Sequence, residues 1–336
     1  MQTRHLFHQA FFNAAARGGS GAGKSAPAAK AATPAKPAKP SEPLPRIDSD
    51  LNGDGRSDIV MLNQNGSCGA WLVQPDQSAK WIDIGVLKTA PRWSFIGCAR
   101  LAGKHRGDIV LQSKRDNLVG AWTVEKGKVT GWKDLGSFGR DVTIVGIGDF
   151  NGDGIDDLLL RNNKGVVWAY LTTDRTNIFL GNLAPRQFIA GIGDFNGDGI
   201  DDVLIRADGF AGCWIIDADR KCQWFGFDSL PNDRNILGVG DFNGDGTDDV
   251  LIEHGGYLGA WTIKHGAITG WMGMGELPAN NKLEAIGDFD GDGFDDLRIR
   301  TADGVIGALL VKGADRLVWQ EYGCLGKEWD SKPAGL

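Results

Sequence analysis

The sequence predicts an all-β protein, a β-propeller of about six four-stranded blades, with a seven-bladed ring as the alternative. Two observations support this fold class. A nine-residue acidic pattern recurs along the chain at spacings of 45 to 50 residues, and each repeat holds four short apolar runs separated by turn-forming residues. Four strands in about 47 residues is the size of one propeller blade. With 336 residues, 42% of them hydrophobic, the chain can bury the core of such an array.

The acidic pattern has aspartate or asparagine at positions 1, 3, 5 and 9 and glycine at positions 4 and 6, as in residues 149–157. Five copies are intact, and they begin at Asp50, Asp149, Asp194, Asp241 and Asp288. In the third repeat an apolar run, 142–148, leads into the pattern, and the runs 157–161, 166–171 and 177–180 follow it. This arrangement predicts four strands. The run after each pattern is almost continuously apolar, so we expect neighbouring blades to cover both of its faces.

The pattern has the chemistry of a cation-binding loop. Carboxylate and amide oxygens at positions 1, 3 and 5 of a tight loop can converge on one hard divalent cation, and the glycines allow the left-handed bend that this needs. Calcium is the expected ion, with the carbonyl of position 7 and the side chain of position 9 completing each site. A single copy could be an ordinary Asp-Gly turn, but five copies with the same ligand grid favour about five calcium sites. The predicted ligands are Asp50, Asn52, Asp54, Arg56 and Asp58; Asp149, Asn151, Asp153, Ile155 and Asp157; Asp194, Asn196, Asp198, Ile200 and Asp202; Asp241, Asn243, Asp245, Thr247 and Asp249; and Asp288, Asp290, Asp292, Phe294 and Asp296.

The second repeat departs from the pattern. Arg100, Ala102 and Lys104 stand at positions 1, 3 and 5, and only Asp108 keeps the aspartate of position 9. We expect this loop to bind no cation, with a lysine ammonium as an alternative occupant. Because neighbouring blades support each other, sequence drift is the simpler explanation, and a specialised role is the other.

Residues 1–46 are predicted to form a flexible segment before a propeller that spans 47–336. The segment is rich in alanine, proline and lysine, and no run of 18 apolar residues occurs anywhere, so we expect no membrane span. The string Gly18–Ser25 fits the phosphate-binding P-loop pattern. It lacks the flanking strand and helix that such a loop requires, and we interpret it as chance in a biased segment.

Charge and cysteine content narrow the classes of function. Residues 47–336 carry 29 basic and 42 acidic side chains, a net charge of −13, which argues against nucleic acid as a partner. The five cysteines form no disulfide framework, although Cys213 and Cys222 would face each other if a tight turn lay midway between them. The histidines of the repeats, His105, His254 and His265, share no loop, so no acid-base or nucleophilic constellation is visible.

With these motifs in view, residues 47–336 resemble the FG-GAP/VCBS repeats found in the propeller of integrin α chains and in microbial surface proteins, including lectins. The resemblance implies that the acidic loop joins the first and second strands of each blade. It also implies a ring closed between the segment near 45–47 and the tail 326–336. The repeats here are shorter than in integrins, and the FG and GAP signatures survive only as Gly-Ala-Trp at Gly69, Gly120 and Gly259.

Tryptophans recur at two matched positions of the repeat. The third strands carry Trp71, Trp122, Trp168, Trp214 and Trp261, and the fourth strands carry Trp81, Trp132, Trp224, Trp271 and Trp319. A large ring at one repeated position is expected in the core between blades, and this interpretation is favoured for the third strands. The resemblance to lectins makes the fourth-strand set a candidate ligand-binding surface, with core packing as the alternative.

These observations lead us to expect a non-enzymatic, calcium-stabilised propeller that acts as an extracytoplasmic adhesion or recognition module, secreted or at the cell surface. Its ligand would be a glycan or a protein, and the oligomeric state is left open. Loops of this kind suit the millimolar calcium outside cells. The alternatives are a hydrolase or lyase of polysaccharide or phospholipid on a propeller scaffold, and a structural subunit that docks through its N-terminal segment.

Overall fold

The computed structural model describes residues 49–87, 93–102, 107–326 and 328–330. Within these ranges the chain contains strands and turns and no helix, so no helix there is long and apolar enough to cross a membrane. The segment 1–46, its P-loop-like string, Lys104 and the segment 45–47 lie outside the described residues.

The strands form six sheets of four strands each, which are the blades of a β-propeller. Blade 1 holds β1 (Ile59–Asn63), β2 (Ser67–Val73), β3 (Ala79–Val86) and β24 (Trp329–Asp330); blade 2 holds β4 (Trp93–Ala99), β5 (Asp108–Ser113), β6 (Leu118–Glu125) and β7 (Lys128–Ser137); blade 3 holds β8 (Val142–Gly148), β9 (Asp157–Asn162), β10 (Val166–Tyr170) and β11 (Asn177–Asn182); blade 4 holds β12 (Phe188–Gly193), β13 (Asp202–Ala207), β14 (Phe210–Ile216) and β15 (Cys222–Ser229); blade 5 holds β16 (Asn235–Gly240), β17 (Asp249–His254), β18 (Tyr257–Lys264) and β19 (Ala267–Glu276); and blade 6 holds β20 (Lys282–Gly287), β21 (Asp296–Arg300), β22 (Val305–Val311) and β23 (Leu317–Cys324). The predicted fold class is therefore confirmed, with six blades rather than seven.

Each blade is an antiparallel meander whose first strand lies nearest the ring centre. First strands of adjacent blades, such as β8 and β12, contact each other, and the fourth strands lie outermost. In blades 2 to 6 the acidic loop, altered in blade 2, joins the first and second strands, as the resemblance implied, and in blade 1 it directly precedes β1. The four strands expected in the third repeat are present as β8 to β11, with their ends within two residues of the prediction.

The ring closes within blade 1, which is assembled from both ends of the described chain. β24 pairs with β1, with Leu62 opposite Asp330 and Asn63 opposite Trp329. The tail predicted to take part in closure thus supplies the innermost strand of the first blade. A buried cluster that joins Ile59 and Met61 of blade 1 to Phe289 of blade 6 covers the same junction.

The core consists of six apolar clusters, one between each pair of neighbouring blades. The residue at position 2 of the acidic loop enters the cluster between its own blade and the next. This residue is fully buried phenylalanine in four blades (Phe150, Phe195, Phe242 and Phe289) and buried leucine in two (Leu51 and Leu101). Burying a side chain of this size contributes roughly 2 to 3 kcal/mol, so each loop is anchored by its second residue.

The possible disulfide between Cys213 and Cys222 is wrong. Both cysteines are free thiols. The register of β14 and β15 sets Cys213 opposite Phe225 and Cys222 opposite Ile216, so the two side chains do not form a cross-strand pair. The turn between these strands is centred one to two residues later than the disulfide would need, and a small slip in register changes every pairing.

Candidate functional site

The five intact acidic loops share one conformation, organised by the aspartate at position 1. In the blade-3 loop, Oδ1 of Asp149 accepts hydrogen bonds from the backbone N–H groups of Gly152 (2.7 Å) and Asp153 (3.2 Å), and Oδ2 accepts one from Gly154 (2.7 Å). Gly152 and Gly154 have φ values of 71° and 80°, the left-handed region that side chains disfavour. The bend expected from the two glycines is confirmed, and it wraps backbone donors around a carboxylate.

Positions 3 and 5 place their oxygens beside this carboxylate. In blade 3, Oδ1 of Asn151 accepts the N–H of Asp153 at 2.9 Å, and Oδ1 of Asp153 accepts the N–H of Ile155 at 2.8 Å. The amide Nδ2 of Asn151 donates to Oδ2 of Asp153 at 3.1 Å. The backbone therefore orients one oxygen of each of these side chains, and the loop is held in shape by its own N–H groups.

The aspartate at position 9 has a structural role that the sequence did not reveal. In blade 4, Oδ2 of Asp202 accepts the N–H of Phe195 at position 2 (3.0 Å), and Oδ1 accepts the N–H of Ile216 at the end of β14 (2.8 Å). In each of the other five blades, Oδ1 of the position-9 aspartate likewise accepts an N–H from a residue at or near the end of the third strand. Burial raises the pKa of this carboxyl to about 8 in the five blades with intact loops, at Asp58, Asp157, Asp202, Asp249 and Asp296.

The altered loop of blade 2 shows which positions of the acidic loop are needed to form a blade. Asp108 is buried and accepts N–H groups from Leu101 (2.9 Å) and Val124 (2.9 Å), and Leu101 lies in the core. Positions 2 and 9 thus do the same work here as in the other blades, although Arg100 and Ala102 have replaced the ligands of positions 1 and 3. Lys133 on β7 places its ammonium on the carbonyl of Leu101 at 2.9 Å. The blade forms without the oxygens of positions 1, 3 and 5.

The aspartate at position 8 joins a loop to the loop of the preceding blade at four junctions, and sequence reasoning missed it. Oδ2 of Asp201 accepts the N–H of Asp149 in the preceding blade at 2.7 Å, and the N–H of Asp201 donates to the carbonyl of Asp149 at 2.8 Å. Asp156, Asp248 and Asp295 bond the preceding loop in the same way. The signal was present in the sequence as an Asp-Asp doublet at positions 8 and 9 of these four loops.

Position 7 adds a second contact between loops. The side chains of Ile200, Thr247, Phe294 and Arg56 each lie against the glycine at position 4 of the preceding loop. A methyl group on that glycine would lie about 3.0 to 3.2 Å from the neighbouring side chain, so the close approach depends on glycine. The side chain of position 7 therefore packs between blades, a role separate from the predicted role of its carbonyl as a cation ligand.

Blade 6 carries the most concentrated set of carboxylates. Its position 3 is Asp290 instead of asparagine, and oxygens of Asp288, Asp290 and Asp296 lie within 4.8 Å of one another. Lys312, at the end of β22, places its ammonium on the carboxylates of Asp290 and Asp292. Partial burial lowers the pKa of Lys312, but the hydrogen bonds to these two aspartates outweigh it and the net shift is upward.

The donor set of the loops fits a hard divalent cation. Each intact loop offers carboxylate and carbonyl oxygens in a tight bend held by backbone donors, and in blade 6 the carboxylates of positions 1, 3 and 9 converge within 4.8 Å. Calcium takes six to eight such oxygens. In blade 6, Oδ1 of Asp290 is buried without a hydrogen-bond partner, and a lysine ammonium already lies on two of the candidate ligands. The residues present therefore suit a cation at this position.

The fourth-strand tryptophans lie flat along their own blades. The ring of Trp132 covers Gly120, and a methyl group on that glycine would overlap the ring. Trp81, Trp224, Trp271 and Trp319 cover Gly69, Gly212, Gly259 and Gly307 in the same way. The glycine of the Gly-Ala-Trp motif is thus required as a platform for an outer tryptophan. The third-strand tryptophans pack against the clusters between blades, as expected for core residues.

Four of the five outer rings keep one side open to solvent, whereas Trp271 is partly buried against the cluster between blades 4 and 5. Exposure is 37% for Trp81, 42% for Trp132, 40% for Trp224 and 39% for Trp319. An open pocket of about 380 Å³ adjoins Trp132 between blades 1 and 2, and Val86, Leu87, Trp93, Leu118 and Trp122 form the rest of its lining. The rings of Trp93 and Trp132 meet edge to face with centroids 5.4 Å apart. Three tryptophans therefore converge on one shallow apolar site.

Comparisons with known proteins agree with this geometry. Residues 149–205 match a family model described as an FG-GAP-like repeat. No match was found among curated protein sequences. Among solved structures, a lectin from Agrocybe aegerita that recognises non-reducing terminal N-acetylglucosamine is similar over 85% of this chain and 81% of its own, with a TM-score of 0.57 and 14% identity. A Photorhabdus luminescens Tc holotoxin pore is similar over 83% of this chain with a TM-score of 0.51 and 14% identity, and the match spans 14% of the toxin chain. At these identities the structures show the fold alone.

A ring of six four-stranded blades, four with an intact acidic loop between the first and second strands and a fifth with such a loop directly before β1, defines a repeat-built β-propeller. The matched repeat at 149–205 covers the blade-3 loop and reaches β13 in blade 4, and the other blades reproduce its strand order. The chain is therefore a six-bladed β-propeller that contains an FG-GAP-like repeat at 149–205.

Proposed function

We propose that this propeller binds calcium in its five intact acidic loops and acts as an extracytoplasmic, lectin-like recognition module. The observation that carries the calcium assignment is the comparison with blade 2. That blade keeps the structural residues Leu101 and Asp108 and folds without ligands at positions 1 and 3. The oxygens at these positions in the other five blades are therefore not needed to form a blade, and a bound cation explains why they are there.

The arrangement of the loops explains how a cation would stabilise the ring. The backbone N–H of position 1 donates to the position-8 aspartate of the next blade. An ion bound by the position-1 carboxylate would therefore be held by the same residue that forms the junction between blades. When bound, calcium supplies positive charge that neutralises the clustered carboxylates. Each filled loop would hold two blades together, and sites of modest affinity would fill in the millimolar calcium found outside cells.

The pocket at Trp93, Trp122 and Trp132 is the best candidate for ligand recognition. Its rings are partly exposed, rigid and close together, and flat aromatic faces bind the apolar faces of sugar rings. The similarity of fold to a lectin supports glycans as the class of ligand. We therefore assign glycans as the ligand class, with this groove between blades 1 and 2 as the binding site.

A glycan array on the calcium-loaded protein tests the ligand class, and variants test the site. Trp132→Ala should abolish binding of any glycan found, because it removes one wall of the pocket. Trp224→Ala is the matched control, since Trp224 is equally exposed and covers the equivalent glycine in blade 4. Binding that survives Trp132→Ala, or that is lost equally in both variants, would contradict the assignment of this pocket.

A further inference from the structure

In blades 3, 5 and 6 a residue at the end of the third strand contacts the acidic loop of its own blade. It can be identified in each blade as the residue after the one that donates its N–H to the position-9 aspartate. In blade 3 it is Thr173, whose hydroxyl donates to Oδ2 of Asp153 at 3.1 Å. In blade 5 it is Lys264, whose ammonium lies 3.5 Å from Oδ2 of Asp245. In blade 6 it is Lys312.

Lys312 is held more closely than its counterpart in blade 5. Its ammonium contacts both Asp290 and Asp292, at positions 3 and 5, whereas Lys264 contacts position 5 alone. The side chain of Lys312 is 23% exposed and that of Asp290 is 4% exposed, against 49% for Lys264. An ion pair with this burial and two carboxylate partners is stronger than an exposed surface pair.

The substitution of aspartate for asparagine at position 3 accounts for the lysine. In blades 1, 3 and 4 the position-3 asparagine donates its amide to the position-5 aspartate. Asp290 cannot donate, and it adds a negative charge beside Asp288 and Asp296. The ammonium of Lys312 replaces the lost donor and offsets the added charge.

We propose that Lys312 is a built-in counter-ion that occupies the cation position of the blade-6 loop. This inference rests on the proposed calcium binding of the loops. A calcium ion and an ammonium group cannot share the same two carboxylates without strong repulsion, so calcium must first displace the lysine. The blade-6 loop is therefore the weakest of the five sites, by at least tenfold, and stays closed at calcium concentrations that fill the other four.

The position of this loop gives the counter-ion a structural purpose. Two residues of blade 1 contact this loop. Ser57 donates its N–H to the carbonyl of Asp288 at 2.6 Å, and Arg56 lies against Gly291. These contacts span the junction where the ring closes. A lysine that is always present keeps the carboxylates of this junction neutralised when calcium is low, so ring closure does not depend on the ion.

The test compares Lys312→Gln with Lys264→Gln by isothermal calcium titration and by thermal melting. The wild-type protein should bind four calcium ions, and Lys312→Gln should gain a fifth. In metal-free buffer Lys312→Gln should melt below wild type because its carboxylates lose their counter-ion, and calcium should remove that difference. Lys264→Gln should change neither the number of ions nor the metal-free melting temperature by a comparable amount.

A double variant protects the test against misfolding. Asp290→Asn combined with Lys312→Thr reproduces the asparagine and threonine of blade 3, and it should fold and bind five ions. Five ions of equal affinity in the wild type, or four in both Lys312 variants, would overturn the inference while leaving calcium binding intact. If wild type and variants bind no calcium at all, the proposed function fails, and the competition with it.

Discussion

Removal of calcium is the perturbation that tests the loop assignment most directly. The proposed function makes each intact loop a calcium site, and a ligand that binds only the folded state stabilises it by mass action. Extracellular calcium modules have dissociation constants of about 10⁻⁴ to 10⁻³ M, so 5 mM calcium exceeds a typical value about tenfold. That excess stabilises the folded state by roughly 1.4 kcal/mol per site.

The structure sets the number of sites that contribute. In the loops of blades 1, 3, 4 and 5 no lysine contacts both position 3 and position 5, unlike Lys312 in blade 6, and these four sites together give about 5 to 6 kcal/mol. For a domain of this size each kcal/mol moves the melting temperature by about 2 °C. We therefore expect a melting temperature about 10 °C higher in 5 mM calcium than after chelation.

Differential scanning calorimetry of the same preparation with chelator, calcium or magnesium measures this shift. Magnesium serves as the control for ionic strength, because it prefers a smaller, octahedral site and keeps its water ligands. A shift below about 1 °C with calcium, or an equal shift with both ions, would refute the cation-loop assignment, since neither result fits four filled sites selective for the larger ion.

Three further predictions follow from individual positions. Asp153→Ala should lose one bound calcium and about 1 to 2 kcal/mol of stability in calcium buffer, whereas Arg100→Ala, at position 1 of the blade-2 loop, should leave the calcium count of a titration unchanged. The position-9 carboxyls have a pKa of about 8 in the folded protein and near 4 in the unfolded chain, so the folded state binds more protons between these values. Without metal, the free energy of unfolding should therefore fall as pH rises from 5 to 8. Urea titrations that show a rise would contradict this prediction. Asp248→Ala should lower the free energy of unfolding by about 1 to 3 kcal/mol, because the N–H of Asp194 in the preceding blade loses its acceptor. Substitution of the exposed Asp219 by alanine is the control and should change the urea midpoint little. Equal losses of stability would argue against a junction at position 8.

Strand order and loop positions could be predicted from the sequence because they depend on local, repeated patterns. The acidic string marks the turn between the first and second strands, and its glycines at positions 4 and 6 adopt the left-handed backbone expected of them, as Gly152 and Gly154 do. The apolar runs on either side become β8 and β9 with boundaries close to the predicted ones. The repeat then fixes the number of blades, since each unit can bury its apolar faces only against a copy of itself.

The tertiary structure alone decided which side chains meet across blades and strands. Asp201 bonds Asp149 some fifty residues earlier, and Lys312 reaches Asp290 from the far end of another strand. Cys213 and Cys222 miss each other because the register of one hairpin, which no periodic signal encodes, places them apart. A repeated pattern records which residues each blade contributes, whereas the contacts between blades depend on how neighbouring copies pack around the ring. The sequence therefore located the acidic loops, and the packing showed that positions 8 and 9 support the fold and that a lysine ammonium lies on the carboxylates of the blade-6 loop.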